Sequence, residues 1–103
     1  MQTYIVNWQF PDQESHIQGA ESFADFVEGG CKGDEFDGFK VVNRVVNPEG
    51  ANGWAIVESS NHQNIWKWSS FWVDNFGVEI VVTPVLTDQE FLSVHKDIAT
   101  ASF

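Results

Sequence analysis

An α+β sandwich is the fold this chain predicts, on three observations. Alternating apolar runs stand near both ends, at Thr3 to Phe10 and Val78 to Leu86. Two stretches with helical apolar spacing lie inside them, Ile17 to Val27 and Ile65 to Trp72. Two Val-rich or aromatic runs, Phe39 to Asn47 and Trp54 to Ser59, sit in the middle with a breaker-rich turn between them. The order strand, helix, strand, strand, helix, strand fits a split βαβ, or ferredoxin-like, βαββαβ sandwich: a four-stranded antiparallel sheet with two helices on one face. At 103 residues the chain is read as a single domain, 1–103, with a loose tail expected after about 98.

Each element has its own signal. In the first strand Tyr4, Val6, Trp8 and Phe10 share one side, and Thr3, Ile5, Asn7 and Gln9 the other. Pro11-Asp12 stops it. Asp12 or Ser15 caps the first helix, and Ser15 with Gln18 has capping-box spacing. Ile17, Ala20, Phe23, Ala24 and Val27 form that helix's expected buried stripe, and Gly29-Gly30 supplies its left-handed end. The acids of Asp34-Glu35-Phe36-Asp37 read as a solvated loop. Pro48 to Gly53 makes the hairpin turn. Ser60 or Asn61 caps a second helix whose core stripe is Ile65, Trp68 and Trp72, closed by Gly77. Pro84 fits the last strand to a sheet edge, and Thr87 with Glu90 opens a short further helix that Phe91, Leu92 and Val94 dock.

The purer apolar set of each strand is expected to face the helices: Tyr4, Val6 and Trp8; Val41 and Val45; Trp54 and Ile56; Ile80 and Val82. The remaining set is Ile5, Asn7 and Gln9; Lys40, Val42, Arg44 and Val46; Ala55, Val57 and Ser59; Glu79, Val81 and Thr83. A one-residue slip in the second strand inverts its share. Ile5, Val42, Val46, Ala55, Val57 and Val81 make this second face too apolar for water, a patch on the order of several hundred Å², larger than a monomer usually exposes. A second sheet packed at about 10 Å solves the problem. The expected partner is a second copy, in a twofold homodimer, because an isologous interface uses one patch twice. The polar members Asn7, Gln9, Arg44 and Glu79 then lie between the sheets or at the rim. They either pair with one another and with trapped water, or line a small ligand cavity. These four are the candidate binding residues.

The run Gly53-Trp54-Ala55-Ile56-Val57-Glu58, the Trp-rich helix with Trp68 and Trp72 four apart, and Val78-Glu79-Ile80-Val81-Val82-Thr83-Pro84-Val85-Leu86-Thr87 resemble a family of small proteins, domain of unknown function DUF3303. The first strand and helix are compatible with it. The resemblance implies a dimeric α+β barrel of ferredoxin-like units. It implies no established activity, so no catalytic residue is carried over.

Composition narrows the function classes. Fifteen acids against five bases give a net charge of −10, which argues against nucleic acid and anionic membranes. The longest apolar stretches are too short to cross a bilayer. Met1-Gln2-Thr3-Tyr4 has no basic start and does not read as a signal peptide, so the cytoplasm is the expected location. The lone Cys31 cannot make an internal disulfide and reads as a plain exposed loop cysteine. His16, His62 and His95 lack metal-ligand spacing; neither a metal nor a cofactor is expected. No phosphate-binding glycine motif follows a strand, and no nucleophile elbow is present. Glu58 has the parity of Trp54 and Ile56 and is expected in the helix layer. Three function classes remain: a homodimeric module binding a small molecule between or beside its sheets; a cofactor-free oxygenase- or isomerase-type enzyme in a dimeric barrel; and a structural or regulatory interaction module. The enzyme reading rests on fold analogy alone.

Overall fold

A computed structural model describes residues 1–101. The elements are β1 (Gln2–Gln9), α1 (Gln13–Glu28), β2 (Glu35–Phe36), β3 (Phe39–Asn47), β4 (Asn52–Ser59), α2 (His62–Phe76), β5 (Glu79–Val85) and α3 (Asp88–Thr100). The sheet is antiparallel with strand order β2-β3-β4-β1-β5. Its last four strands have the ferredoxin-like order expected. The sheet has five strands, not four, because Glu35 and Phe36, within the acidic run read as a loop, pair with Lys40 and Phe39 as an added edge.

The helix ends are built by their sequence. Asp12 caps α1 by accepting from the Ser15 backbone N–H at 2.7 Å, and Asn61 caps α2 by accepting from Asn64 N–H at 2.9 Å. Gly77 closes α2 in the left-handed conformation at φ 65°. The buried core is Tyr4, Val6, Phe39, Ala55, Val57 and Ile65, with Trp8, Phe36, Val41, Trp68, Ile80 and Val82 packed around it.

Three placements differ from the sequence pattern. In β4, Gly53, Ala55, Val57 and Ser59 face the helices, while Trp54 and Ile56 lie on the open face. The register decides this: Tyr4 pairs with Val57, Val6 with Ala55 and Trp8 with Gly53. Small residues stand here because bulk comes from above, the Trp8 ring lying on Gly53. Glu58 goes with the open face, opposite Thr3 and Lys40.

In β3 a bulge between Val41 and Asn43 adds one residue, Val42. Val41 keeps its expected helix side, but beyond the bulge the parity inverts. Val45 turns to the open face beside Trp54, and Arg44 and Val46 turn to the helix side beside Ala55 and Gly53. Arg44 is therefore not an open-face residue.

In α1 the buried side is rotated from the expected stripe. Ile17 and Val27 are exposed, and Gly19, Phe23 and Phe26 face inward. Phe23 and Phe26 meet the Trp72 ring edge-on at 6.3 and 6.5 Å, and Gly19 makes room for the Phe10 ring. The final helix runs further than a short cap, through Thr100, and all of its residues are exposed, so Phe91, Leu92 and Val94 are not docked within this chain. Of the tail expected to be loose, residues 102 and 103 lie outside the described residues.

Candidate functional site: a cleft under the first helix

The helix layer does not lie flat on the sheet. α1 leans on α2 and leaves a cleft of about 690 Å³ between itself and the strands. Trp8, Val6, Ile80 and Val46 form part of its floor, and Phe23 and Phe26 of α1 and Trp68 and Trp72 of α2 form much of its walls. This is the apolar, aromatic lining of a small-molecule pocket, in the size range such sites have.

One end of the cleft carries an ion pair. Arg44 Nη1 and Nη2 donate to Asp34 Oδ1 and Oδ2 at 3.1 and 2.9 Å, a bidentate pair with side chains only 15 and 17% exposed. Trp68 Nε1 donates to the same Asp34 Oδ1 at 3.3 Å. The guanidinium carbon lies 5.1 and 5.5 Å from the ring centres of Phe23 and Phe26, within cation–π range. Cys31, half-buried rather than plainly exposed, has its Sγ 3.6 Å from Arg44 Nη2. Asp34 reaches inward because the preceding loop coils tightly, with positive φ at Gly30, Cys31 and Gly33, and Val41 N–H donates to the Asp34 carbonyl at 2.8 Å. His16, half-buried against Phe10 at 5.4 Å, and the exposed Asp25 and Lys32 also border the cleft.

The four candidate residues are not brought together. Asn7, Gln9 and Glu79 stay on the open face, Gln9 opposite Glu79, while Arg44 has crossed to the helix side. Asn7 Nδ2 donates to the Gly53 carbonyl at 2.8 Å, and Gln9 Nε2 to those of Gly50 and Ala51 at 2.9 and 3.2 Å. Gln9 thereby braces the β3–β4 turn, and Asn7 the start of β4. What the sequence reading missed is Asp34 as the partner of the chain's single arginine. The available signal was the arginine itself: inside an apolar strand of a core this small, it has to be paired or exposed.

The open face is apolar as expected: Ile5 and Val81 are where the pattern puts them, while Val45, Trp54 and Ile56 stand there instead of Val46, Ala55 and Val57. Val45, Trp54, Ile56 and Val81 are exposed there, with Ile5 half-buried among them. Among the described residues, no group of three His, Cys, Asp or Glu side chains is placed to hold a metal ion, and no helix is long and apolar enough to cross a membrane.

The topology and the cleft define a ferredoxin-like α+β domain with an apolar pocket between its helices and its sheet. The chain belongs to the family described as domain of unknown function (DUF3303), whose profile matches residues 2–99, so the family extends through β1 and α1 as well. No curated protein matches the chain. Two solved structures share a distant likeness. An uncharacterized protein from Thermotoga maritima is 17% identical, with a TM-score of 0.43 over 82% of this chain and 98% of that one. A dimeric ferredoxin-like protein from an uncultured marine organism is 14% identical, with a TM-score of 0.42 over 84% and 94%.

Proposed function

We propose that this protein is a homodimeric module that binds an uncharged, largely apolar small molecule in the cleft beneath α1. The observation that carries the reading is the cleft itself, about 690 Å³ and walled by aromatic side chains. Its two mostly buried charges, Arg44 and Asp34, already match one another. A charged ligand group placed beside that pair would be desolvated without a partner, which is costly. An anion also meets a chain of net charge −10. Dimerisation is supported by the open face, where Val45, Trp54, Ile56 and Val81 are left in water. Asn7 and Gln9 are occupied by backbone carbonyls, so the ligand's place is the cleft rather than the space between the sheets.

Trp8, Trp68 and Trp72 on the lining make the site self-reporting. Titration with neutral N-phenyl-1-naphthylamine is expected to give saturable energy transfer from tryptophan. Its anionic sulfonate analogue is expected to bind more weakly. Val46→Trp, which fills the cleft from the sheet side, is expected to abolish transfer while the far-UV spectrum is kept. Binding that survives Val46→Trp unchanged places the ligand elsewhere and defeats the reading.

A further inference from the structure

The last helix is amphipathic. At 100° per residue, Phe91, Leu92, Val94, His95, Ile98 and Ala99 cover one side of α3, with Asp88 of the first turn among them, and Gln89, Glu90, Ser93, Lys96, Asp97 and Thr100 cover the other. Yet Phe91, Val94 and Ile98 are 60, 46 and 56% exposed. Thr87 and Glu90 form a complete capping box, each side chain bonded to the other's backbone N–H at 3.2 and 2.9 Å. A cap sets where a helix starts, but thirteen residues are marginal as a helix in water without packing on the apolar side. The radius of gyration, 16.3 Å, exceeds the roughly 13 Å of a compact chain of this length.

α3 follows directly on β5, the edge strand that carries Val81 of the open sheet face. Only Leu86 and Thr87 separate it from β5, and exposed Val81 and Leu86 lead from the sheet to Phe91. The sheet face is small for its task. Four full strands about 4.8 Å apart, each about seven residues at ~3.3 Å, present roughly 450 Å² per copy. A stable interface takes about 800 Å² per partner. A helix roughly 20 Å long and 10 Å across offers on the order of 200 Å² of apolar stripe, and under twofold symmetry the partner's helix covers as much again. Sheet and helix together reach what a stable dimer needs.

We propose that α3 is an exchanged arm: each copy lays the Phe91–Val94–Ile98 stripe on the second copy, and the two arms bracket the paired sheets. This rests on the sheet-to-sheet dimer proposed above. The arm belongs to the assembled protein, so the helix orders fully only when two chains meet.

The test combines sedimentation with amide exchange on the full chain. The wild type is expected to be a dimer, with α3 amides protected above its dissociation constant and unprotected after dilution below it. The double variant Phe91→Asp/Ile98→Asp is expected to weaken the dimer by ~100-fold or more, since each change counts twice across the axis, while core amides in β1 and β4 stay protected. A wild type that is monomeric at every concentration removes the sheet pairing and the arm together. A stable dimer with α3 unprotected, or one whose affinity survives the double variant, removes the arm alone. Protection of α3 that persists on dilution to monomer means that the helix docks on its own chain and also overturns the exchange.

Discussion

The Trp8 indole lies directly on Gly53: a Cβ built at Gly53 would stand 2.2 Å from Trp8 Cζ2. The two residues face each other across the β1–β4 ladder. The glycine is there for space, and it is buried. Gly53→Ala is therefore expected to force the indole off its seat and to destabilise the fold by about 1–3 kcal/mol, the usual cost of overpacking. Urea unfolding followed by tryptophan fluorescence measures it. A neutral Gly53→Ala means that the ring does not rest there.

The Arg44–Asp34 pair makes the opposite kind of prediction, since here the loss of one partner is worse than the loss of both. Asp34→Ala leaves a mostly buried guanidinium facing Phe23 and Phe26, and removes the acceptor of Trp68 Nε1. A cost of about 2–4 kcal/mol is expected, somewhat under that of a fully buried pair. Arg44→Met combined with Asp34→Leu is expected to recover most of it, because an apolar replacement of similar volume needs no compensation. A double-mutant cycle from denaturant titrations separates the two cases. Additive losses would mean that the two side chains do not depend on one another.

How much of this was readable in advance follows from where bulk and charge sit. β1 and β5 alternate so plainly that Val6, Trp8, Ile80 and Val82 could be assigned to the helix side, and the register agrees. β4 misleads because its inward residues, Gly53, Ala55 and Ser59, are small. A rule that sends the larger apolar set inward selects Trp54 and Ile56 instead. The inward face has small residues where an aromatic ring from a neighbouring strand fills the layer, and that information lies in β1, far away in sequence. β3 misleads at one residue: the bulge at Val42 has no glycine or proline to announce it, and it carries Arg44 across the sheet. The cleft was illegible for the same reason. Its charged end joins Asp34 to Arg44, ten residues apart, only after the bulge and the coiled loop are both in place.

Acid should loosen the helix starts first. The Asp12 carboxyl is held below its ordinary value by the Ser15 backbone N–H and then by the Ser15 hydroxyl. Glu90 is lowered by the Thr87 backbone N–H and then by the Thr87 hydroxyl. A carboxylate whose folded value is depressed binds fewer protons folded than unfolded. Its contribution is thus fully present above the ordinary carboxylate range and is lost as pH falls through the folded value. Stability and helicity are expected to be flat from neutrality to about pH 5 and then to decline. Asp12→Asn, which still caps but does not titrate, is expected to flatten part of that decline for α1, and Glu90→Gln for α3. Circular dichroism and urea midpoints between neutrality and strong acid read this out. An unchanged acid limb in both variants would assign the decline to other carboxyls.

Two neighbouring residues of β4 test the two faces of the sheet against each other. Val57 is fully buried beside Tyr4, and Ile56 is 39% exposed on the opposite side beside Ile5. Val57→Asp puts a carboxylate into the core with no partner, and a loss of several kcal/mol is expected, on the order of what buried unpaired charge costs, enough to unfold a domain of this size. Ile56→Asp leaves the core untouched. The monomer is expected to keep its stability within about 1 kcal/mol, as surface changes usually do. The proposed dimer is not, because its twofold axis would place two new carboxylates in one apolar interface, where neither has a counter-charge. Equilibrium sedimentation of Ile56→Asp should therefore give a folded single chain at concentrations where the wild type is paired. If Ile56→Asp pairs as tightly as the wild type, the open face is not the surface on which two copies meet. If it unfolds as Val57→Asp does, Ile56 rather than Val57 faces the helices.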